Sequence, residues 1–287
     1  MTPTDTADLM ARYARVEAAI LGRAPEHDLV PTLDRVAAVM ELLGDPQRAF
    51  RVIHLTGTNG KTTTTRMAEA LCREHGLRTG RFTSPHLHSM RERIAVDGDP
   101  VSPETIVATW EEIEPIIELV DARSAQQGGP RMTFFEVLVV LAYAIFADAP
   151  VDVAVVEVGM GGRWDATNVA DGEVAVFTPI GIDHTHFLGG TIEQIAAEKA
   201  GIIKPGAFVV SAEQDDEVAA ILAERAEQVG AHRYAAGLDF GVAERDIALG
   251  GQVLAVRGIA GVYPEVFVPL FGAHQGQNAA VAIAAVE

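Results

Sequence analysis

From Val52 to Gly230 short apolar runs alternate with amphipathic helical stretches, and this alternation restricts the fold more than any other feature of the sequence. Strands are expected at Val52–Thr56, Arg81–Thr83, Arg93–Val96, Val153–Val158, Val174–Thr178 and Phe208–Ser211. Helices are expected at Thr62–His75, Pro103–Asp121, Thr133–Asp148, Ile192–Ala200 and Glu217–Gly230. Strands separated by helices cannot pair as hairpins. The expected class is therefore α/β: a mainly parallel sheet with helices on both faces. Two amphipathic helical patterns, Asp8–Leu21 and Leu33–Leu43, precede it, the second closed by Gly44-Asp45-Pro46. Between Ala243 and Leu270 the rhythm changes to short strands with turn glycines, which predicts a small antiparallel annex.

The 287 residues exceed the usual single-domain size, and 48% of them are hydrophobic, enough for a sizeable core. The one cysteine, Cys72, excludes a disulfide framework and a cysteine metal site; it reads as a packing residue and fits a reducing compartment, the cytoplasm. The N-terminus lacks the basic-then-apolar order of a signal peptide. The longest apolar stretch, Thr133 to Ala147, contains Glu136 and is too short to span a bilayer, so it predicts a buried helix and no membrane association. A formal net charge of −18 disfavours nucleic acid. It also repels nucleotides at long range, so any phosphate must be held locally by backbone N–H groups, one or two cations and a metal ion.

Such a device is present. Thr56-Gly57-Thr58-Asn59-Gly60-Lys61-Thr62-Thr63 follows a predicted strand and opens a predicted helix, the context a phosphate-binding loop requires. Lys61 can reach the β/γ-phosphates, and Thr62 or Thr63 offers a hydroxyl near a metal-bound phosphate. Leu55 stands where the strict motif has its first glycine; the competing reading is an ordinary strand–turn–helix with a surface lysine. Glu157, at the tip of a buried strand before Gly159-Met160-Gly161-Gly162, is a candidate metal ligand, since ligands gather beyond the carboxyl ends of such strands. Its bland role is a strand-end charge. His184 is a lone histidine and an unusual partner for magnesium. On the residues alone Lys199 reads as a helix-surface lysine paired with Glu198 or Glu193.

The loop Leu55–Thr63 resembles the Mur ligase superfamily. Further motifs, in the same order and spacing, resemble dihydrofolate/folylpolyglutamate synthases within it: Thr83-Ser84-Pro85-His86-Leu87 with Glu92-Arg93-Ile94, Thr133-Phe134-Phe135-Glu136, Glu157 to Asn168, Asp183-His184, Glu198 to Gly206, and His274-Gln275 with Asn278-Ala279. The resemblance runs from near residue 30 to the end. It implies the Mur ligase central-domain, P-loop NTPase-like fold and an ATP- and Mg2+-dependent ligase joining L-glutamate to dihydropteroate or folate through an acyl phosphate. It implies nucleotide contacts from Thr58, Asn59, Gly60, Lys61, Thr62, Thr63 and Asn278, the last near the adenine. It implies magnesium ligands Ser84, Glu157 and His184, with Lys61, Glu157 and His184 serving catalysis and Lys199 carbamylated. It implies pterin contacts from Val30, Pro31, Thr32, Thr133, Phe134, Phe135, Glu136, Trp164, Asp165 and Ala166. Aromatic rings flanking a planar pterin, with an acid receiving its N–H donors, make physical sense, although Phe134 and Phe135 open an apolar helix and at least one belongs to the core.

The family has a further C-terminal domain, and Asn278–Glu287 is a helical pattern that stops without a cap. The expectation is one ATP-binding domain over 1–287, with a helical segment at 1–45, the annex at 243–270 and the C-terminal ligase domain absent. The chain is expected to be monomeric. Two alternatives stay open at this point: a peptidoglycan-type Mur ligase, motivated by Gly57–Thr63 alone, and a non-catalytic ATP/pterin-binding fragment.

Overall fold

The structure, a computed structural model, describes residues 3–25 and 31–287. In chain order the elements are α1 (Pro3–Leu21), α2 (Asp34–Leu42), β1 (Arg51–Thr56), α3 (Lys61–Glu74), β2 (Thr79–Phe82), β3 (Ile94–Val96), β4 (Asp99–Pro100), α4 (Pro103–Gln126), α5 (Phe134–Asp148), β5 (Val153–Glu157), β6 (Val174–Phe177), α6 (Thr185–Leu188), α7 (Ile192–Lys199), β7 (Phe208–Ser211), α8 (Asp216–Val229), β8 (His232–Ala235), β9 (Gly241–Ala248), β10 (Gly251–Arg257), β11 (Val262–Val268) and α9 (Ala273–Val286). Eight strands form one sheet in the order β4-β3-β2-β5-β1-β6-β7-β8. β2, β5, β1, β6, β7 and β8 run parallel, whereas β3 and β4 turn back antiparallel at one edge. The expected mainly parallel α/β sheet is thus observed. The annex is a separate antiparallel sheet, β11-β10-β9.

Alternation along the strands distributes the core. Val52 of β1 packs with α1, α2, α4 and α5, while Ile53 and Leu55 face α3, α9 and the annex residues Leu254, Val256 and Val268. His54 lies beside Ala175, whose face also carries Phe177 and Val209 packed on α7 and α8. Helices therefore cover both faces. α5 is buried along nearly its whole length, as a run without a polar face must be, and among the described residues no helix is long and apolar enough to cross a membrane.

Differences from the expected boundaries have local causes. α4 continues past Asp121 to Gln126, and Pro115, in mid-helix, is accommodated without breaking it. β8 carries His232-Arg233-Tyr234 with little burial, since it is the outermost strand, and so it has no apolar signature. β4 is only two residues long.

The chain crosses over from β1 to opposite sides of the sheet, with β5 on one flank and β6 on the other. Loops following β1, β5 and β6 must splay apart there, opening a crevice at the carboxyl ends of the strands. α3 is anchored to that arrangement by a buried ion pair. Glu69 accepts from Arg81 Nη1 at 3.1 Å and from the Thr79 hydroxyl at 2.7 Å, both on β2. Glu69→Ala leaves Arg81 buried without its counter-charge, and the expected loss is about 3–5 kcal/mol in urea unfolding. Glu69→Leu with Arg81→Met together should recover most of it; a loss below 1 kcal/mol for the single variant would contradict this account.

Candidate active site

Beyond β1 the backbone makes its closest approaches where glycine is required. Gly57 has φ +149° and stands so near Thr178 that any Cβ would collide with its hydroxyl; at Gly60, φ +85°, a Cβ would lie 2.6 Å from Asn278 Oδ1. The loop is seated on the strand next door: Thr58 N–H donates to Pro179 O at 2.9 Å, and Thr58 Oγ1 donates to Gly181 O at 3.1 Å. Thr64 N–H is bonded to Gly60 O. The N–H groups of Lys61, Thr62 and Thr63 precede it in the first turn of α3, where the helix itself supplies no carbonyl, and there they are aimed at a would-be anion.

Register brings the acid alongside. Leu55 of β1 pairs with Glu157 of β5, so the carboxylate emerges beside the glycine loop. Thr62 Oγ1 lies 2.9 Å from both carboxylate oxygens, and Ser84 N–H, in the loop after β2, donates to Oε2 at 3.3 Å. Glu157 is 1% exposed, and burial raises its pKa to about 7 against the opposing pull of Lys61 and Thr62. The first turn of α3, the loop after β2 and the tip of β5 thus meet at one carboxylate.

Lys199, the last residue of α7, is not the surface lysine its helix position suggests. It is 4% exposed, and its Nζ donates to Gly57 O at 3.0 Å, the same carbonyl that Lys61 Nζ contacts at 3.0 Å. Burial, followed by repulsion from Lys61, lowers its pKa to about 8. Asn278, on α9, is buried against Gly60 and donates to Gln275 Oε1 at 3.1 Å. His184 lies in the loop after β6 on the same rim, in a left-handed conformation with φ 48°; its ring is half exposed and its Nε2 is 3.6 Å from Asp183 Oδ2. No cluster of three or more His, Cys, Asp or Glu side chains able to hold a metal occurs among the described residues. The oxygen donors at Glu157, Thr62 and Ser84 nonetheless suit magnesium, which takes few protein ligands and keeps several waters.

A cleft with about 510 Å³ of non-protein space, part of it open to solvent, adjoins this rim. Its walls include Pro31, Thr32, Thr133, Phe135, Glu136, Trp164, Asp165 and Ala166, all expected from the sequence. Val30 lies outside the described residues. Phe134 does not line the cleft: its ring packs in the core, 4.9 Å beneath the Arg93 guanidinium and tilted against His86. Glu136 is already engaged, its Oε2 accepting the Thr133 N–H at 2.7 Å as a helix cap and its Oε1 accepting from Arg35 at 2.9 Å. Arg35 is a cleft residue missed from the sequence. The signal was an arginine sharing the apolar face of Val36, Val39 and Met40, where a cation needs a buried acid. Gly159 and Met160 complete the wall. The loop after β5 borders both regions: Gly159, Met160 and Asp165 line the cleft, while Gly161 O accepts from Thr56 Oγ1 at 2.8 Å and Gly162 packs against the backbone of Lys199. Cys72 is buried in the core with its pKa raised to about 11 by burial, a thiol with no part in the rim.

A glycine–lysine loop at the switch point of a parallel sheet, with a buried acid on the adjacent strand, defines a phosphate-loop α/β domain. The chain belongs to the Mur ligase family: residues 103–286 match the Mur ligase middle domain. It is similar to the dihydrofolate synthase/folylpolyglutamate synthase of Mycobacterium tuberculosis, 50% identical over 291 residues that cover 98% of this chain and 60% of that protein. It superposes on the Mycobacterium tuberculosis folylpolyglutamate synthase complexed with ADP and AMPPCP with a TM-score of 0.90 and 48% identity, covering 97% of this chain and 62% of that one. An FPGS–AMPPCP–folate complex gives a TM-score of 0.89 at 34% identity, covering 96% and 66%. The chain spans about 60% of the length of the curated relatives it matches.

The raised pKa of Glu157 has a thermodynamic signature. Between its ordinary value of 4.5 and about 7 the native state holds a proton that the unfolded chain has released, so stability falls as pH rises through that window. In metal-free buffer Glu157→Gln should remove this group's share of the fall, leaving the smaller one from Asp165, and gain on the order of 3 kcal/mol at pH 8. Equal pH profiles for the two proteins in chemical denaturation would refute the assignment.

Proposed function

We propose that this chain carries the nucleotide- and pterin-binding part of an ATP-dependent amide ligase that adds L-glutamate to dihydropteroate, to folate, or to both. The observation that carries the reading is the shared wall: the loop after β5 touches the phosphate loop on one side and lines the aromatic and acidic cleft on the other. A carboxylate bound in the cleft and a γ-phosphate bound at α3 would meet across that wall. A carboxylate is a poor electrophile until it becomes an acyl phosphate, which an amine can then attack; most of the catalysis is positioning and charge stabilisation.

In this reading Lys61 leaves Gly57 O to contact the β/γ-phosphates, and the α3 N-terminus with Thr58 and Asn59 holds the polyphosphate. Thr62 and Thr63 lie at its metal side, and Asn278 borders the nucleotide. Glu157 and Ser84, with His184 brought in from its loop, would hold magnesium, which supplies neutralisation of phosphate charge when bound. Phe135 and Trp164 contact the pterin face, and Asp165 receives its N–H donors. Lys199 is the site of a carbamate: its neutral amine attacks CO2 and loses a proton, replacing a buried cation by a carboxylate beside the phosphate loop. The protein works in the cytoplasm as a monomer, with no nucleic-acid or membrane partner.

ADP formation that requires both dihydropteroate and glutamate, measured on the whole gene product, supports this function; turnover of a UDP-linked substrate in its place would overturn it. Lys61→Ala should reduce that turnover about 100-fold and weaken binding of a nonhydrolysable ATP analogue to this chain. Incubation with 13C-bicarbonate should give a carbamate resonance that grows as pH rises through about 8 and is missing in Lys199→Arg. An unchanged resonance in that variant would remove Lys199 from the site.

A further inference from the structure

β1, the central strand, carries one polar side chain in its interior: His54, completely buried. A chain of polar contacts leads from it to the cleft. His54 Nε2 is 2.9 Å from Thr167 Oγ1, and that hydroxyl contacts Asp165 Oδ1, which also accepts the Thr167 N–H at 3.0 Å. Asp165 Oδ2 accepts the Met160 N–H at 2.9 Å, and Asp165 forms part of the cleft wall. Tyr143 donates to Thr167 O at 2.7 Å, fixing the turn that holds the hydroxyl.

The direction of this chain follows from its far end. His54 Nδ1 is buried with no hydrogen-bond partner among the described residues. Placing the ring proton there would bury an orphan donor, which is costlier than burying a bare lone pair. The proton therefore sits on Nε2 and points at Thr167 Oγ1, whose own proton must then point at Asp165. The reverse arrangement would make Asp165 the donor and require an acceptor for Nδ1–H. Burial and the nearby Lys204 ammonium, which donates to Asn168 O at 2.9 Å, lower the His54 pKa to about 3, so the ring stays neutral. Burial raises Asp165 to about 6, and the donors from Thr167 and Met160 oppose that rise, with Lys199 a further cation on its side.

The geometry points to His54 as a positioning residue: acting through the Thr167 hydroxyl, it holds Asp165 as a proton acceptor in the cleft, so that the cleft selects a ligand presenting an N–H donor there. The ligand half of this inference rests on the pterin reading above; the tautomer half does not. Nitrogen-15 NMR of histidine-labelled chain should show His54 protonated at Nε2 alone. Protonation at Nδ1 would overturn the relay whatever the ligand. Titration with dihydropteroate then tests the consequence. His54→Gln, whose amide nitrogen reaches the Nε2 position, should bind within about twofold of the parent, whereas His54→Asn and His54→Leu should bind about tenfold more weakly, with affinity for an ATP analogue unchanged. Equal losses for both ligands would mean a merely structural role. Should the His54 variants not fold, Thr167→Val against Thr167→Ser carries the same comparison. Failure of dihydropteroate to bind the parent chain would sink the pterin reading and the ligand half with it, while the tautomer measurement still decides the relay.

Discussion

The rim is organised by the register of two parallel strands. Because Leu55 faces Glu157 across β1 and β5, the first turn of α3 must pass over an acid, and Thr62 is the residue that meets it. A one-residue slip would turn Glu157 to the other face of the sheet and bury Val158 or Val156 at the phosphate loop. That slip is blocked by the strands themselves: Val153 and Val155 pack against α3 and α9 while Ala154 and Val156 pack against α5, so both faces penalise it. The apolar core therefore sets the position of the charges.

The charges placed there are mutually dependent. Glu157 and Lys199 are both nearly inaccessible, and each is shifted toward its neutral form by burial. Neither shift is complete, because Lys61 opposes that of Glu157, and Asp183 and Asp165 oppose that of Lys199. With a net charge of −18 the protein as a whole repels a polyphosphate. The local arrangement of Lys61 at the glycine loop, with helix N–H groups beyond it, is what can outweigh that field over a few ångströms, where screening is least effective.

Much of this was legible in the sequence because it is periodic or compositional. Parallel strands such as Val153-Ala154-Val155-Val156 announce themselves by unbroken burial, and the phosphate loop by its glycines. What was illegible depends on contacts far apart in the chain. Lys199 has the helix position of a surface residue, yet Gly57 lies 142 positions away and reaches its ammonium. Phe134 and Phe135 are adjacent and chemically identical, and both rings pack in the core, but only the pose of α5 decides that Phe135 also lines the cleft while Phe134 does not. Arg35 and Glu136 are separated by 101 positions, so neither predicts the other. β8 was missed because an edge strand needs no apolar alternation when one side meets solvent.

Arg35 changes the chemical character of the cleft. Had Glu136 been free, the pocket would present two acids, Glu136 and Asp165, to a planar ligand with several N–H donors. Instead the guanidinium and the Thr133 N–H occupy Glu136, leaving it as part of the frame that holds α2 against α5. Asp165 differs because its partners are backbone N–H groups of its own loop and a threonine hydroxyl within the same turn. Local donors of this kind fix a carboxylate's orientation without adding a formal positive charge. The cleft thus holds one acid apart from the Arg35–Glu136 ion pair on the same wall, and a flat ligand rich in N–H groups, as proposed above, would meet that acid there.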